Sequence, residues 1–269
     1  MTKTKRTLFF ETLFEFAGFA FLIGIWILVS FLLEHDGNYL FPGPVPVISK
    51  LGLLLTKEAG ITFFAIGWTM LRVLLGWLIS FIVAMILGTL GGLYKYVDSF
   101  FRPFVVICRV MPTAAAVIVL IGIFFQYDGF PDFIPSFLVF FVAFPLIYEA
   151  FRSGVQNESQ EIKDALDIDG GGHKSFYSVA KVIFPDSLPY VILAVTQSFG
   201  LSFKVAIMSE VISSTSAGHQ GIGTLISISK SYVEMDAVIA YSLISIILVM
   251  LIDVLLYFVK KQFAIEQVK

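Results

Sequence analysis

Long apolar segments alternate with short polar stretches along the whole chain of 269 residues. A helix needs about 20 apolar residues to cross a hydrocarbon core of about 30 Å, because each residue adds about 1.5 Å. The segments of roughly that length or more are 12–33, 61–94, 101–125, 133–151, 190–211 and 237–259. This pattern predicts an all-α fold, a polytopic membrane protein with six transmembrane helices.

Two of these segments contain features that bend a helix or bring it close to a neighbour. Segment 101–125 is interrupted by Met111-Pro112-Thr113, where the proline removes a backbone hydrogen bond and predicts a break. Segment 61–94 would measure roughly 51 Å as a helix, so we expect it to tilt or to project beyond the bilayer. Gly88 and Gly92 form a GxxxG pair, which predicts close contact with another helix.

The N-terminal part of the chain, 1–60, differs in pattern from the rest. The sequence FPGPVP at 41–46 excludes a regular helix because of its closely spaced prolines. The segment 47–58 is amphipathic but too short to span, which predicts a helix lying on the membrane surface. We therefore divide the chain into two units. Unit 1–60 holds the first span, the proline-rich segment and the surface helix, and unit 61–269 is a core of five transmembrane helices.

One long polar loop, 152–189, separates the fourth and fifth spans. Its part from 158 to 189 carries six carboxylates and the run Gly170-Gly171-Gly172. Acidic residues favour the positive end of a helix dipole, and glycines end a helix and reverse the chain. The loop is therefore predicted to form a short helix to which a partner outside the bilayer binds. Residues 175–182 are predicted to lie back along the membrane.

The composition fits a membrane protein and excludes several other classes. Hydrophobic residues make up 58% of the chain and charged residues 14%. Soluble proteins carry more charge, about 25% of their residues. A net charge of −2 gives no basic footprint for nucleic acid, and one cysteine with three scattered histidines gives no metal site. The sequence GGGHKS at 170–175 lacks the glycine spacing of a phosphate-binding loop. No catalytic set converges, so the residues give no reason to expect an enzyme.

The basic residues indicate which ends of the spans face the cytoplasm. Twelve of them lie at the N-terminus, in the joint after the second span, in the 152–189 loop and in the tail, against three on the opposite side. The positive-inside rule therefore places both termini and the loop in the cytoplasm.

Three further basic residues, Arg72, Arg109 and Lys204, lie within apolar segments. A charge there costs about 2.5–3.5 kcal/mol at the helix centre. One interpretation is that these residues face a water-filled path and attract an anionic or polar solute. The other is that they lie near span ends and extend to the lipid headgroups.

The loop resembles a motif of one transporter family. Residues 164–170, DALDIDG, with the later Val182-x-Phe184-Pro185, are similar to the EAA motif of the inner-membrane permease subunits of binding-protein-dependent ABC importers. Other segments resemble the nitrate, sulfonate, taurine and thiamine-precursor branch in the expected order: 41–44, 69–76, 102–103, 111–114, 209–210 and 221–223. The chain departs from the pattern at Asp164 and Leu166, by two extra residues between 170 and 185, and at Lys204.

The resemblance implies a type I ABC importer permease of the bacterial inner membrane. Two copies would form the path for a small polar or anionic solute, surrounded by membrane lipid, and a solute-binding protein would deliver that solute. A separate ATPase would bind ATP and magnesium, so no cofactor is expected in this chain. The alternative is a self-contained, ion-coupled secondary transporter, in which broken helices are expected in both halves.

The same resemblance assigns roles to individual residues. The loop would dock on the ATPase through Asp164, Ala165, Leu166, Asp169, Gly170, Gly171 and Gly172. Along the translocation path we place Arg72, Met111, Pro112, Thr113, Lys204 and Glu210.

Overall fold

The computed structural model of the chain describes residues 3–35, 40–124, 126–127, 130–168, 172, 174–213 and 218–266. Over these residues the chain forms helices joined by short turns, and no described residue lies in a β-strand. The helices are α1 (Lys3–His35), α2 (Pro44–Thr56), α3 (Ala59–Leu93), α4 (Lys95–Val110), α5 (Thr113–Phe124), α6 (Ile134–Gln156), α7 (Gln160–Ile168), α8 (Phe176–Ser178), α9 (Phe184–Ser213), α10 (Ile222–Ser231) and α11 (Met235–Glu266).

Within the described residues, five helices are long and apolar enough to cross a membrane. They are Phe16–His35 in α1, the whole of α3 and α6, Tyr190–Ser213 in α9 and Met235–Phe258 in α11. Helices α4 and α5 together meet the same test, with a bend of 103° between them. Counting the bent pair as one span confirms the prediction of an all-α protein with six spans.

The bend lies at the proline that the sequence singled out. Only Met111 and Pro112 separate the end of α4 from the start of α5. Met111 has an extended backbone with a ψ angle of 122°. A residue before proline is pushed out of the helical region in this way. The predicted break is confirmed.

Small residues bring α3 and α6 into close contact. A Cβ added to Gly88 would lie 2.6 Å from the carbonyl oxygen of Tyr148, and one added to Gly92 would lie 2.5 Å from the Cβ of Val155. Both glycines therefore occupy positions where a side chain would push the helices apart. The predicted close contact at the GxxxG pair is confirmed.

Helix α2 packs on protein through its apolar stripe. Val47 and Leu54 are buried in one core cluster with Ala65 of α3, Ile222 of α10 and Tyr241 of α11. The stripe that predicted lipid contact is thus covered by neighbouring helices, and the position of α2 relative to the bilayer surface stays a prediction. By contrast, most side chains described in the span of α1 are exposed.

The end of the long loop is more helical than predicted. Residues 176–183 form α8 and a single turn of wide helix, which runs directly into α9 at Phe184. The fifth span, Tyr190–Ser213, begins at the residue near which the sequence predicted it, and α9 extends about two turns ahead of that span. Pro185 is the second residue of α9, which follows the wide turn directly and continues through this proline without a break.

Candidate functional site

A buried ion pair joins α3 to α9. Nη1 of Arg72 donates a hydrogen bond to Oε1 of Glu210 at 2.8 Å. The exposed fractions are 3% for Arg72 and 0% for Glu210, so solvent does not screen the pair. Breaking such a pair from one side leaves an uncompensated buried charge, which typically costs about 3–5 kcal/mol.

The second carboxylate oxygen of Glu210 accepts hydrogen bonds from both α3 and α10. Oε2 accepts hydrogen bonds from the hydroxyl of Thr69 at 2.8 Å and from the backbone N–H of Gly223 at 3.0 Å. The Thr69 hydroxyl oxygen in turn accepts from the N–H of Ile222 at 3.0 Å. A Cβ on Gly221 would collide with the Glu210 carboxylate. The Gly-Ile-Gly sequence thus lets the N-terminus of α10 reach a buried anion.

Two residues besides Glu210 bind the guanidinium group of Arg72. Its Nε donates to the backbone carbonyl of Asp132 at 3.0 Å, and its Nη2 donates to the backbone carbonyl of His219. The Asp132 carboxylate lies 3.0 Å from Nδ1 of His219, whose ring packs on Trp68 at 4.4 Å between centroids. All three guanidinium nitrogens of Arg72 therefore have acceptors within the protein.

The residues of the helix break lie apart from this cluster. Thr113 begins α5, and its hydroxyl lies 3.8 Å from the sulfur of Met208 on α9. Met111 packs in a core cluster formed by α5, α6 and α9, while Pro112 is exposed. The break is thus held against the helix that carries Lys204.

Lys204 is exposed on a face of α9 that borders α11. It lines a groove of about 400 Å³ together with Ser245 and Asp253 of α11. The Asp253 carboxylate lies against α9, since a Cβ on Gly200 would come within 2.7 Å of its Oδ1. Gly200 and Lys204 are four residues apart and share a helix face, so the two charges lie about one turn apart. The groove offers one group of each sign inside the membrane-spanning region.

Helix α7 stands at one end of the bundle and exposes most of its surface. The Ser159 hydroxyl accepts a hydrogen bond from the N–H of Ile162 at 3.3 Å, which satisfies a donor at the helix start. After α7 ends, the N–H of Gly172 bonds the carbonyl of Leu166 at 3.1 Å. Gly172 has a φ of 72°, a conformation that glycine adopts readily. Asp169, Gly170 and Gly171 lie outside the described residues.

The apolar side of α7 forms a wide groove with the wide helical turn that precedes α9. The groove has a volume of about 550 Å³ and is lined by Ile162, Ala165, Leu166, Ile168 and Val182. Ile168 is 86% exposed, and its neighbours extend the apolar surface into a patch outside the spans. Asp164 is exposed as well and accepts a hydrogen bond from Gln160 at 2.8 Å. Two of the predicted coupling residues, Ala165 and Leu166, thus lie together on one apolar surface.

A network of charges lies at the same end of the bundle. Asp98, at the start of α4, is buried and lies 3.4 Å from Nε of Arg152 on α6 and 3.3 Å from Nη2 of Arg102. Arg152 also pairs with Glu149 at 3.1 Å. Glu149 reaches Nη2 of Arg109, in the last turn of α4, at 3.8 Å. The network links the joint between the second and third spans to the end of the fourth.

The structure brings together some of the predicted path residues and separates others. Arg72 and Glu210 meet in the buried pair, whereas Thr113 contacts Met208 of α9 and Lys204 lines the groove between α9 and α11. Sequence reasoning missed Asp132 and His219, for which the sequence carries no signal beyond turn composition. It also missed Asp253, although this is the only charged residue between 237 and 259.

The described residues contain no group of three or more His, Cys, Asp or Glu side chains placed to hold a metal ion. Glu210 is neutralised by a basic group and by backbone donors, and Asp253 lines a groove beside Lys204.

These features define the class of protein to which the chain belongs. The chain is a helical membrane protein with one broken span, charges buried between spans, and an exposed helix between its fourth and fifth spans. Residues 80–264 match the family model of the binding-protein-dependent transport system inner membrane component. The match covers well over half of the chain, and the chain belongs to this family.

Individual relatives cover most of the chain. A protein of Brucella melitensis biotype 1 named as an ABC transporter permease is 28% identical over 225 residues, which is 82% of this chain and 83% of that protein. A Bacillus subtilis strain 168 protein named as an aliphatic sulfonates transport permease is 24% identical over 82% of this chain and 75% of its own length. A Methanocaldococcus jannaschii protein named as an ABC transporter permease is 30% identical over 64% of this chain and 61% of that protein.

The protein is therefore the permease subunit of a binding-protein-dependent ABC importer in the inner membrane. It is a transport subunit and not an enzyme, and it works with a separate ATPase and a solute-binding protein. The family match favours this function over the ion-coupled secondary transporter.

Proposed function

We propose that α7 is the helix through which the ATPase drives this permease. The observation that carries the proposal is the groove beside α7, where Ala165, Leu166 and Ile168 form an apolar surface outside the spans. An exposed apolar surface of this kind is typical of a protein interaction site. Asp164, Asp169, Gly170, Gly171 and Gly172 complete the docking segment in this proposal.

The position of α7 supports docking on the cytoplasmic side. Nζ of Lys174, in the same loop, lies 5.4 Å from the ring centroid of Tyr94 at the joint after α3. This joint and the loop carry the basic residues that the positive-inside rule assigns to the cytoplasm. Helix α3 ends at Leu93, so Arg72 lies about 21 residues, or roughly 30 Å along the helix, before that end. The buried ion pair therefore belongs to the opposite, extracytoplasmic end.

We further propose that the exposed face of α9 lines the translocation path. Lys204 and Asp253 would cost free energy if they faced lipid, so a water-filled path is the favourable surrounding for both. The break at Met111, Pro112 and Thr113 contacts the same helix, since the Thr113 hydroxyl lies 3.8 Å from the sulfur of Met208. Arg72 and Glu210 contribute by holding the outer ends of the spans together. A small polar or anionic solute fits this groove, and the relative named for aliphatic sulfonates supports an organic sulfonate.

A second copy of the chain is proposed to complete the path. One copy exposes the charged groove between α9 and α11 on its outside. The exposed apolar side chains of α1 require either lipid or another protein surface. ATP and magnesium are proposed to bind only to the partner ATPase, which leaves this chain without a cofactor.

Photo-crosslinking tests whether α7 meets the ATPase. Cys108 is the only cysteine of the chain and is buried, so a Cys108→Ser background permits single-site labelling. Ile168→Cys carrying a benzophenone maleimide is expected to give a covalent adduct with the ATPase subunit in the assembled complex. Tyr232→Cys, at a position that is also well exposed (75%, against 86% for Ile168) but lies between α10 and α11 at the opposite end, is expected to give none. Adducts from position 232, or none from position 168 in an ATP-hydrolysing complex, would show that another surface docks.

A further inference from the structure

A continuous series of polar contacts runs from α7 to the broken span. Nζ of Lys163 on α7 donates to the backbone carbonyl of Gln156, the last residue of α6, at 3.1 Å. The side chain of Gln156 accepts from Nη1 of Arg152 at 2.7 Å. Arg152 pairs with Glu149 at 3.1 Å, and Glu149 pairs with Arg109 at 3.8 Å. The series thus runs from α7 to α6 and from α6 to α4.

The last member of this series lies next to the break. Arg109 is in the final turn of α4, two residues before Met111 and three before Pro112. The N–H of Met111 makes the last helical hydrogen bond of α4, to the carbonyl of Ile107 at 2.9 Å, and the carbonyl of Pro112 accepts from the N–H of Ala116 at 3.0 Å. The two helices are thus bonded separately on either side of the Met111-Pro112 joint, and α5 continues at 103° to α4. Chain segments with no helical bonds of their own can change direction at lower cost than a helix interior can. A displacement of Arg109 would therefore change the angle between α4 and α5 more readily than it would bend either helix.

Glu149 occupies the position where two arginines meet. Its Oε2 faces Arg152 and its Oε1 faces Arg109, so one carboxylate connects α6 with α4. Arg152 also holds the buried Asp98 at the start of α4, which fixes the other end of the same helix. Residues of α6 thus form ion pairs with both ends of α4. Of these pairs, Arg152–Asp98 lies at the start of α4 and Glu149–Arg109 lies next to the break.

We infer that Glu149 is a positioning residue that transmits the movement of α7 to the break at Met111-Pro112. The inference rests on the proposed function, since it requires an ATPase that moves α7. Arg152 and Arg109 act through the same carboxylate. Without this carboxylate we expect the ATPase to continue to hydrolyse ATP, but the broken span should no longer move in response.

The test measures movement of the broken span directly and requires no knowledge of the solute. Ala115, in the first turn of α5, is exposed, and a single cysteine at this position reports its own accessibility. In the Cys108→Ser background, Ala115→Cys is labelled with a membrane-impermeant maleimide in the permease–ATPase complex. Labelling rates are compared between the nucleotide-free complex and the complex trapped with ATP and vanadate. We expect the two rates to differ by about ten-fold, because the fraction of complexes in which position 115 is accessible should change by about a factor of ten.

Glu149→Gln is expected to abolish this difference while the complex still hydrolyses ATP. Arg109→Gln should have the same effect, and the double variant should be no worse than either single one, because both remove one contact. Arg102→Gln is the matched control, since Arg102 is an exposed arginine of the same network whose ion pair is with Asp98 and not with Glu149. It should keep the full difference in labelling.

Three outcomes would overturn the inference. The first is an unchanged labelling difference in Glu149→Gln, and the second is its loss in Arg102→Gln as well. The third is the absence of any difference in the parent complex despite ATP hydrolysis. A thermal unfolding midpoint of Glu149→Gln equal to that of Arg102→Gln would separate a positioning role from a loss of folding.

Failure of the proposed function gives a different result. It is read from the crosslinking at position 168, which does not depend on Glu149. An adduct at position 168 together with an unchanged labelling difference in Glu149→Gln would refute the positioning role and leave docking through α7 intact. A hydrolysing complex without that adduct would refute docking through α7 itself.

Discussion

Replacing Glu210 by glutamine is expected to destabilise the protein by about 3–5 kcal/mol, the cost of leaving a buried charge without its partner. The variant keeps the shape of the side chain but removes the carboxylate that faces Arg72. The hydrogen bonds from Thr69 and from the N–H of Gly223 would then meet a weaker, neutral acceptor. The free energy of unfolding, or the thermal midpoint of the purified protein in detergent, measures the loss.

Glu234→Gln is the matched control for this prediction. Glu234 also pairs with a basic residue, Lys50, at 3.6 Å, but its side chain is 53% exposed. Exposed pairs contribute about 0–1 kcal/mol, so the control should unfold close to the parent protein. The double variant Arg72→Met with Glu210→Gln should lose less than the sum of the single losses, since neither charge is then left alone. Equal midpoints for Glu210→Gln and Glu234→Gln would contradict the structural role of the pair.

The second large effect is expected at Ile168, at the end of α7. Ile168→Lys should weaken binding of the ATPase by about 10- to 100-fold, because burial of such a side chain contributes about 1.5–3 kcal/mol. A lysine at the last turn of a helix is favourable for the helix dipole, so α7 itself should remain folded. Titration of the purified ATPase against the permease in nanodiscs, followed by fluorescence anisotropy, measures the change.

Tyr96→Lys supplies the comparison for Ile168→Lys. Tyr96 is 91% exposed at the start of α4, close to the same end of the bundle, but it does not line the α7 groove. Its replacement should leave the affinity for the ATPase within about two-fold, as expected for a surface substitution away from a binding site. Equal losses at positions 96 and 168 would mean that the docking surface extends beyond α7. No loss at position 168 would exclude the groove as the docking surface.

The fold could be predicted largely because membrane spans leave strong signals in sequence. The lengths of the apolar segments predicted the number of spans, Pro112 predicted the break, and Gly88 with Gly92 predicted the contact between α3 and α6. The extension of α9 ahead of its span was not predicted, because a proline such as Pro185 is also common in loops. The burial of the α2 stripe was missed because an amphipathic pattern shows that one face is apolar, but not whether lipid or protein covers it.

The site was harder to predict, since its parts are far apart in the sequence. Arg72 and Glu210 were both singled out, but their pairing across 138 positions has no local signal. The sequence left two interpretations of Arg72 open, a solute path or the lipid headgroups, whereas in the structure its donors are taken by Glu210 and by two backbone carbonyls. Asp253 is the one charge of an apolar segment and should have been noticed for the same reason as Lys204. The network at Glu149 depends on the angle at which α4 crosses α6, and only a structure provides this angle.

The most direct test of the central claim is transport by the purified chain in liposomes. The chain is reconstituted alone and together with its ATPase and solute-binding protein, and uptake of radiolabelled ethanesulfonate is followed. We expect uptake only from the complete system supplied with ATP, and none from the chain alone under a proton or sodium gradient. An ATP-hydrolysing complex that does not take up ethanesulfonate would overturn the sulfonate assignment alone. Gradient-driven uptake by the chain without ATP would contradict the account of a permease driven by a separate ATPase through α7.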